Sequence, residues 1–204
     1  MGRRESRIQL LEAAVREICT KGYSATTVDD ICRAAGLTKG SFFYHFKSKE
    51  ALAVEAAGSF AMRASRVIAD APYRSLADPL DRVLGYVEYR ASMLRGTLSE
   101  FTCMLGTMVQ ETYETHPAIR AACERGLWAH AAEVTADIEL AKERYAPHAA
   151  WTSQSLGLHI QAVLQGSFVL AKATGGPEAA VVCVEHLQRY LEMLFTPLRE
   201  GVRS

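Results

Sequence analysis

Long apolar runs are missing from this chain. No stretch of its 204 residues approaches the roughly 18 to 20 consecutive apolar residues that a membrane span needs, which excludes an integral helical membrane protein. Paired cysteines are missing too. The five present (Cys19, Cys32, Cys103, Cys123 and Cys183) are odd in number and scattered, with no Cys-x-x-Cys and no histidine pair at zinc-finger spacing. No metal site is expected, and free thiols in a reducing compartment are the simplest account. Gly-rich phosphate loops, a nucleophile elbow and a His-Glu-x-x-His string are all absent, so no catalytic residue and no cofactor is expected. Glu111, Glu114 and His116 do lie together, but Glu114 and His116 flank Pro117 at a helix start, where an acid suits the helix dipole without chemistry. The N-terminal Met-Gly-Arg-Arg-Glu-Ser-Arg is basic without an apolar signal core, which predicts a cytoplasmic protein.

Net charge is absent as well, at zero overall, yet its distribution is uneven. Residues 1–50 hold nine Lys/Arg against six Asp/Glu, whereas residues 51–204 hold fourteen against seventeen. A basic end on an acidic body suits a molecule with one surface turned to nucleic acid.

Apolar residues make up 49% of the chain, enough for a sizeable core. Strand-like alternation of any length is missing, and Gly and Pro punctuate helical patterns. The spacing predicts an all-α protein of about nine helices. The first covers about Arg4 to Lys21, with Ile8, Leu11, Ala14, Val15 and Ile18 as its apolar stripe, and stops at Gly22. A long helix follows Ser48 to about Asp70, its length suiting a connector. Ala71-Pro72 breaks the chain, and Asp78-Pro79 restarts it as N-cap and first helical residue. Further helices are expected at about Phe101 to Tyr113, His116-Pro117 to Tyr145, Thr152 to Ala173 and Glu178 to Phe195.

Between the first helix and the connector lies the most informative stretch, Thr26 to Phe46. Thr26 is placed to cap a short helix, with Asp29 three residues on. Val28 and Ile31 face inward, and Gly36 supplies the left-handed residue that ends the helix. A second helix begins at Thr38 and carries Lys39, Ser41, Tyr44 and His45, all able to donate hydrogen bonds to phosphates or base edges. This is the helix-turn-helix pattern, whose second helix enters the DNA major groove.

Lys-Gly-Ser-Phe-Phe-Tyr-His-Phe-Lys-Ser-Lys-Glu-Ala-Leu (Lys39 to Leu52), preceded by Gly-Tyr-Ser-Ala-Thr-Thr-Val (Gly22 to Val28), resembles the signature of TetR-type transcriptional repressors. The close match covers roughly residues 4–64. The resemblance implies a three-helix DNA-binding head at 4–64, with its helix-turn-helix at 27–46, and a ligand-binding and dimerisation body at 71–204. It also implies that Thr38, Lys39 and Ser41 reach base edges, with Gly40 and Phe42 on the same helix. Thr27, Tyr44, His45, Lys47 and Lys49 would grip phosphates. Phe42 stands where the family often has a smaller aliphatic residue, and Phe43 and Phe46 are expected in the core. Arg3, Arg4 and Arg7 suit either a phosphate-binding arm or a solvated end.

In the body, Cys103, Met104, Thr107, Met108 and Glu111 combine polar groups with methionines, as a small-molecule pocket does. Trp128, His159 and Gln165 are further candidate ligand contacts, with His159 equally suited to an interface. The last two helices are apolar over most of their circumference. In the resemblance they form the four-helix interface of a homodimer, which presents two recognition helices to a palindromic double-stranded operator. The function implied is a repressor released from DNA by a small-molecule inducer. An alternative lies in Thr102-Cys103-Met104-Leu105-Gly106, which resembles a branch of the family whose cysteine senses electrophiles or oxidants. A helical protein-binding adaptor is the remaining alternative from another class.

Overall fold

Ten α-helices and one 3-10 turn, with no strand among the described residues, make up the computed structural model, which describes residues 2–202 and side chains through residue 195. In order they are α1 (Arg3–Lys21), α2 (Val28–Ala35), α3 (Lys39–His45), α4 (Lys49–Ala69), the turn Pro72–Ser75, α5 (Pro79–Ser92), α6 (Leu98–Phe101), α7 (Met104–Thr112), α8 (Pro117–Tyr145), α9 (Ser153–Thr174) and α10 (Glu178–Val202). None of these helices is long and apolar enough to cross a membrane.

The helix ends follow local chemistry. Asp78 caps α5 through the Leu80 amide at 2.8 Å, with Pro79 in the first turn. Gly36 and Gly175 end α2 and α9 at φ 66° and 79°, a region that favours glycine. One expected helix is divided. At the start of the short α6 the Glu100 carboxylate accepts from the Thr97 amide and hydroxyl, the chain turns extended at Cys103 (φ −91°, ψ 118°), and α7 restarts from there. Cys103 is thus the cap of α7, and lies outside its first turn.

The chain gathers into two compact units. One comprises Met1–Ala64 with Thr102–Leu127; the other comprises Ser65–Phe101 with the chain from Trp128 onward. The unit holding the helix-turn-helix therefore takes in α7 and the start of α8, which the sequence pattern assigned to the 71–204 body. Its core joins Leu10, Ala14 and Ile18 of α1, Ile31 of α2 and Leu52 of α4 to Met104 and Met108 of α7 and Ile119 of α8. Gly126 lets α8 come close, since a side chain there would strike Leu105 and Ala61. Ile8, expected on the buried stripe of α1, is 45% exposed, and Leu10 takes the interior place.

The second unit packs α5, α9 and α10 around Val83, Ile160, Leu164, Val184, Leu187 and Leu191, all buried. Leu191 points into its own protomer's core.

Candidate nucleic-acid interface

Two caps build the helix-turn-helix. The cap of α2 is Thr27, one residue later than the pattern suggested: its hydroxyl accepts from the Asp30 amide at 3.1 Å, while Asp30 Oδ2 accepts from the Thr27 amide at 3.0 Å. Thr26 is buried instead and donates its hydroxyl to Gly22 O at 2.6 Å. The Lys21 ammonium, 2.8 Å from Asp30, and the two Thr27 donors hold the Asp30 carboxyl well below the usual carboxylate range. At the turn, the Leu37 amide donates to Cys32 O at 2.9 Å, and Thr38 then caps α3 by accepting from the Ser41 amide at 3.2 Å. The Thr38 hydroxyl keeps its own proton for another acceptor.

The interior face of α3 is set by Phe42 and Phe46, four residues apart with ring centroids 5.9 Å apart, both buried in the head core. Phe43 is 56% exposed. Both assignments made from the sequence are therefore reversed: Phe42 cannot reach DNA, and Phe43 is no core residue. The reason is geometric. Residues three and four apart both share a helix face, so Phe43 with Phe46 looked as acceptable as Phe42 with Phe46 until α1 was packed against them.

The outward face carries Thr38, Lys39, Gly40, Phe43, Tyr44 and Lys47, all exposed, with Ser41 half-buried beside them. Lys39 pairs with Asp29 at 2.8 Å, a contact between two largely exposed side chains. Such pairs are worth only about 0–1 kcal/mol, so a phosphate can compete for the ammonium. Tyr44 is 59% exposed and lies under the Arg3 guanidinium, 5.2 Å from its ring centroid. Arg3 and Arg4 belong to the first turn of α1, not to a loose arm, and Arg7 is held by Glu55 and by the Phe46 ring at 5.3 Å.

Three expected phosphate grips are engaged inside the protein. Lys49 donates to Tyr23 O at 3.0 Å and Thr26 O at 2.9 Å and lies 4.1 Å from the Tyr23 ring centroid, so it anchors the loop before α2. Burial lowers its pKa from the ordinary lysine value. His45 Nε2 is 2.8 Å from Ser6 Oγ, whose own proton goes to Arg3 O; the ring docks α3 onto α1. Thr27 uses its hydroxyl in the α2 cap, donating to Asp30 Oδ2 at 2.7 Å. Phe43 and the exposed Arg33 are surface groups the sequence did not single out; only the choice of the Phe42 face for the core brings Phe43 out.

The expected ligand residues separate. Met104 and Met108 are fully buried in the head core, with Cys103 packed against it. Thr107 donates to Cys103 O at 3.0 Å, and Glu111 accepts from the Ser24 amide at 2.7 Å. Four of these lie on α7 and Cys103 at its cap, all within the DNA-binding unit. Cys123, buried nearby, has its thiol pushed up to about 12 by burial. His159 stacks on Tyr190 with centroids 5.3 Å apart, and Gln165 is half-buried on α9.

Trp128 borders a groove of about 680 Å³ between α8 and α9 whose other walls include Thr135, Glu139, Lys142, Ser153 and Leu158. The α8 lining recurs at three- and four-residue steps, but alanines such as Ala131 and Ala132 at those steps carry no signal that separates a groove from a core. No cluster of His, Cys, Asp and Glu among the described residues could hold a metal ion.

Residues 10–56 match the model of a family described as bacterial regulatory proteins, tetR family. The chain is 30% identical over 120 residues to the HTH-type transcriptional repressor DhaR of Mycobacterium sp. (strain GP1), covering 59% of each chain. It is 29% identical over 120 residues to the HTH-type transcriptional regulator LmrA of Bacillus subtilis (strain 168), covering 58% of this chain and 63% of that one. It thus spans less than two thirds of the length of the curated relatives it matches. In fold it is similar to a TetR-family transcriptional regulator from Agrobacterium tumefaciens, with a TM-score of 0.80 at 18% identity over 93% of this chain and 98% of that one. The capped helix-turn-helix lies inside the matched residues, so the head of this chain carries the DNA-binding region of the tetR family of bacterial regulatory proteins.

Proposed function

We propose that this protein is a homodimeric transcriptional repressor that grips a palindromic operator through α3 and is released by a small molecule bound in the second unit. The observation that carries the DNA-binding reading is Gly40. In the free protein a Cβ at this position would meet only Thr38 Oγ1, at 3.7 Å, so the fold itself has room for a side chain. A glycine costs up to roughly 1 kcal/mol against alanine inside a helix, less in a first turn such as this one, and no packing contact inside the molecule explains its presence. Close approach of a DNA backbone to α3 does, and Lys39, Ser41, Tyr44 and Lys47 surround the spot with hydrogen-bond donors.

Dimerisation is supported by the outward faces of α9 and α10. Leu158, Val169 and Leu170 on one helix, and Val182, Tyr190 and Met193 on the other, are exposed at helical spacing while the opposite faces fill the core. Helices apolar on two faces bury the second one against a partner. For the inducer, the groove bordered by Trp128 has the volume of a small-molecule site, with an apolar wall of Trp128, Ala132 and Leu158 and polar groups at Glu139, Lys142 and Ser153. A ligand there acts on DNA binding by favouring one arrangement of the protein over another.

Selection of genomic fragments on the full-length protein tests the reading. Enrichment of sequences with two inverted half-sites about one helical turn apart, binding more weakly as salt rises, supports it. Recovery of fragments with no shared sequence overturns it.

A further inference from the structure

Glu111 was expected to line a ligand pocket, and the structure places it elsewhere. Its carboxylate reaches back 87 residues to the loop between α1 and α2, where Oε2 accepts from the Ser24 amide at 2.7 Å. The same carboxylate lies against Gly22, whose φ of +87° and missing side chain let it sit there; any Cβ would collide with it. The loop is fastened from two further sides. Lys49 donates to both Tyr23 O and Thr26 O, and the His116 ring meets the Tyr23 ring edge-on at 5.3 Å. Lys49 and Glu111 also attract each other electrostatically. Three residues beyond Ser24, the Thr27 side chain caps α2, the helix against which the recognition helix packs. A displacement of residues 22–26 is therefore a displacement of the cap that starts the DNA-binding motif.

We infer that Glu111 is a positioning residue for DNA binding: from α7 it holds the Gly22–Thr26 loop so that α2 and α3 are set for the operator, without touching DNA itself. This rests on the DNA-binding reading above. The physical content is preorganisation. A head whose loop is loose spends part of its time in arrangements that cannot dock, and apparent affinity falls by the fraction that can. A hydrogen bond to a charged acceptor is among the stronger ones, and here the donor is a backbone amide with no helical partner.

The test compares full-length wild type, Glu111→Gln and Glu111→Ala in two measurements. The first is operator affinity over a range of salt, using a duplex recovered by the genomic selection. Glu111→Ala is expected to bind about tenfold more weakly with an unchanged salt slope, because no phosphate contact is lost. Glu111→Gln should recover most of the affinity, since its amide oxygen still accepts from Ser24. The second is hydrogen exchange of the Ser24 amide in the absence of DNA, expected to quicken about tenfold in Glu111→Ala and little in Glu111→Gln. Wild-type affinity in Glu111→Ala, an equal loss in both variants, a flattened salt slope or unchanged Ser24 exchange would each overturn the inference. Failure of the wild type to bind any duplex specifically would instead sink the DNA-binding reading, while the exchange measurement still judges the latch.

Discussion

The two units of the chain differ in what their least exposed ionic groups hold: loop backbone in one, other side chains in the other. In the helix-turn-helix unit, Thr27 and Thr38 cap helices, and Lys49 and Glu111 hold one loop through its backbone, beside surface ion pairs such as Lys39 with Asp29. In the second unit, a mostly buried carboxylate joins two guanidinium groups, beside the Asp78 and Thr152 helix caps. Asp137, mostly buried, accepts from Arg82 Nε at 2.7 Å and from Arg74 at 2.8 Å, while Arg82 also donates to Leu76 O and Ala77 O. Tyr145 donates to Asp78, which Arg144 approaches to 3.3 Å. His130 Nε2 lies 2.6 Å from the Arg90 guanidinium, which can only donate, so its Nδ1–H faces Glu133 at 3.2 Å. This second unit also leaves apolar side chains on its outer helices. A unit that satisfies its own backbone can present a rigid polar surface to DNA. A unit with an apolar outer face can bury that face against a partner.

That contrast breaks most visibly at the outer helices. Val182→Glu is expected to leave the protomer folded, with unchanged helicity, but monomeric by light scattering, with operator affinity down by about a hundredfold or more as an apolar interface takes on a charge. Leu191→Glu, aimed at the protomer core instead, should fail to fold. A Val182→Glu protein that stays dimeric would move the interface to another surface. Next comes the ion network. Asp137→Ala removes the acceptor shared by Arg82 and the partly exposed Arg74, and denaturant unfolding should show about 1–3 kcal/mol of lost stability. Little change there would mean that water already reaches Arg74 and Arg82.

Smaller effects sharpen the DNA face. Lys39→Ala should weaken operator binding by about tenfold and reduce the salt slope by about one, with stability unchanged. Retention of both affinity and slope would remove Lys39 from the interface. Gly40→Ala should move two quantities in opposite directions: up to about 1 kcal/mol more stability by thermal unfolding, and weaker operator binding. Stabilisation without loss of binding would leave Gly40 without a role in close approach. The smallest effect concerns Cys103. Packed against the head core at the α7 cap, it is expected to be a filler, so a mild electrophile should leave operator binding alike in wild type and Cys103→Ser. Release of the wild type alone would restore the electrophile-sensor alternative.

Much of the head was legible because its signals are local. A cap joins residues three apart, a helix stop needs one left-handed glycine, and the recognition string Lys39 to Leu52 is read along the chain. The errors fall where a local rule allows two answers. Thr26 and Thr27 are both good caps, and tertiary burial of Thr26 against Gly22 O left the role to Thr27. A methionine- and cysteine-bearing helix has the same composition whether it lines a pocket or fills a core, so the pattern alone could not place Cys103, Met104 and Met108 in the head unit.

By itself the sequence determined the all-α class, the helix boundaries to within a residue or two at most ends, the helix-turn-helix and the outer helices with two apolar faces. These follow from periodicity and capping, which act over three to seven residues. Tertiary structure decided which phenylalanine of the Phe42-Phe43 pair turns inward and that residues 102–127 fold with the DNA-binding unit. It decided as well that Lys49 and Glu111, 62 residues apart, hold one loop from two sides. Such pairings depend on which helices meet in space, and local periodicity leaves that choice open.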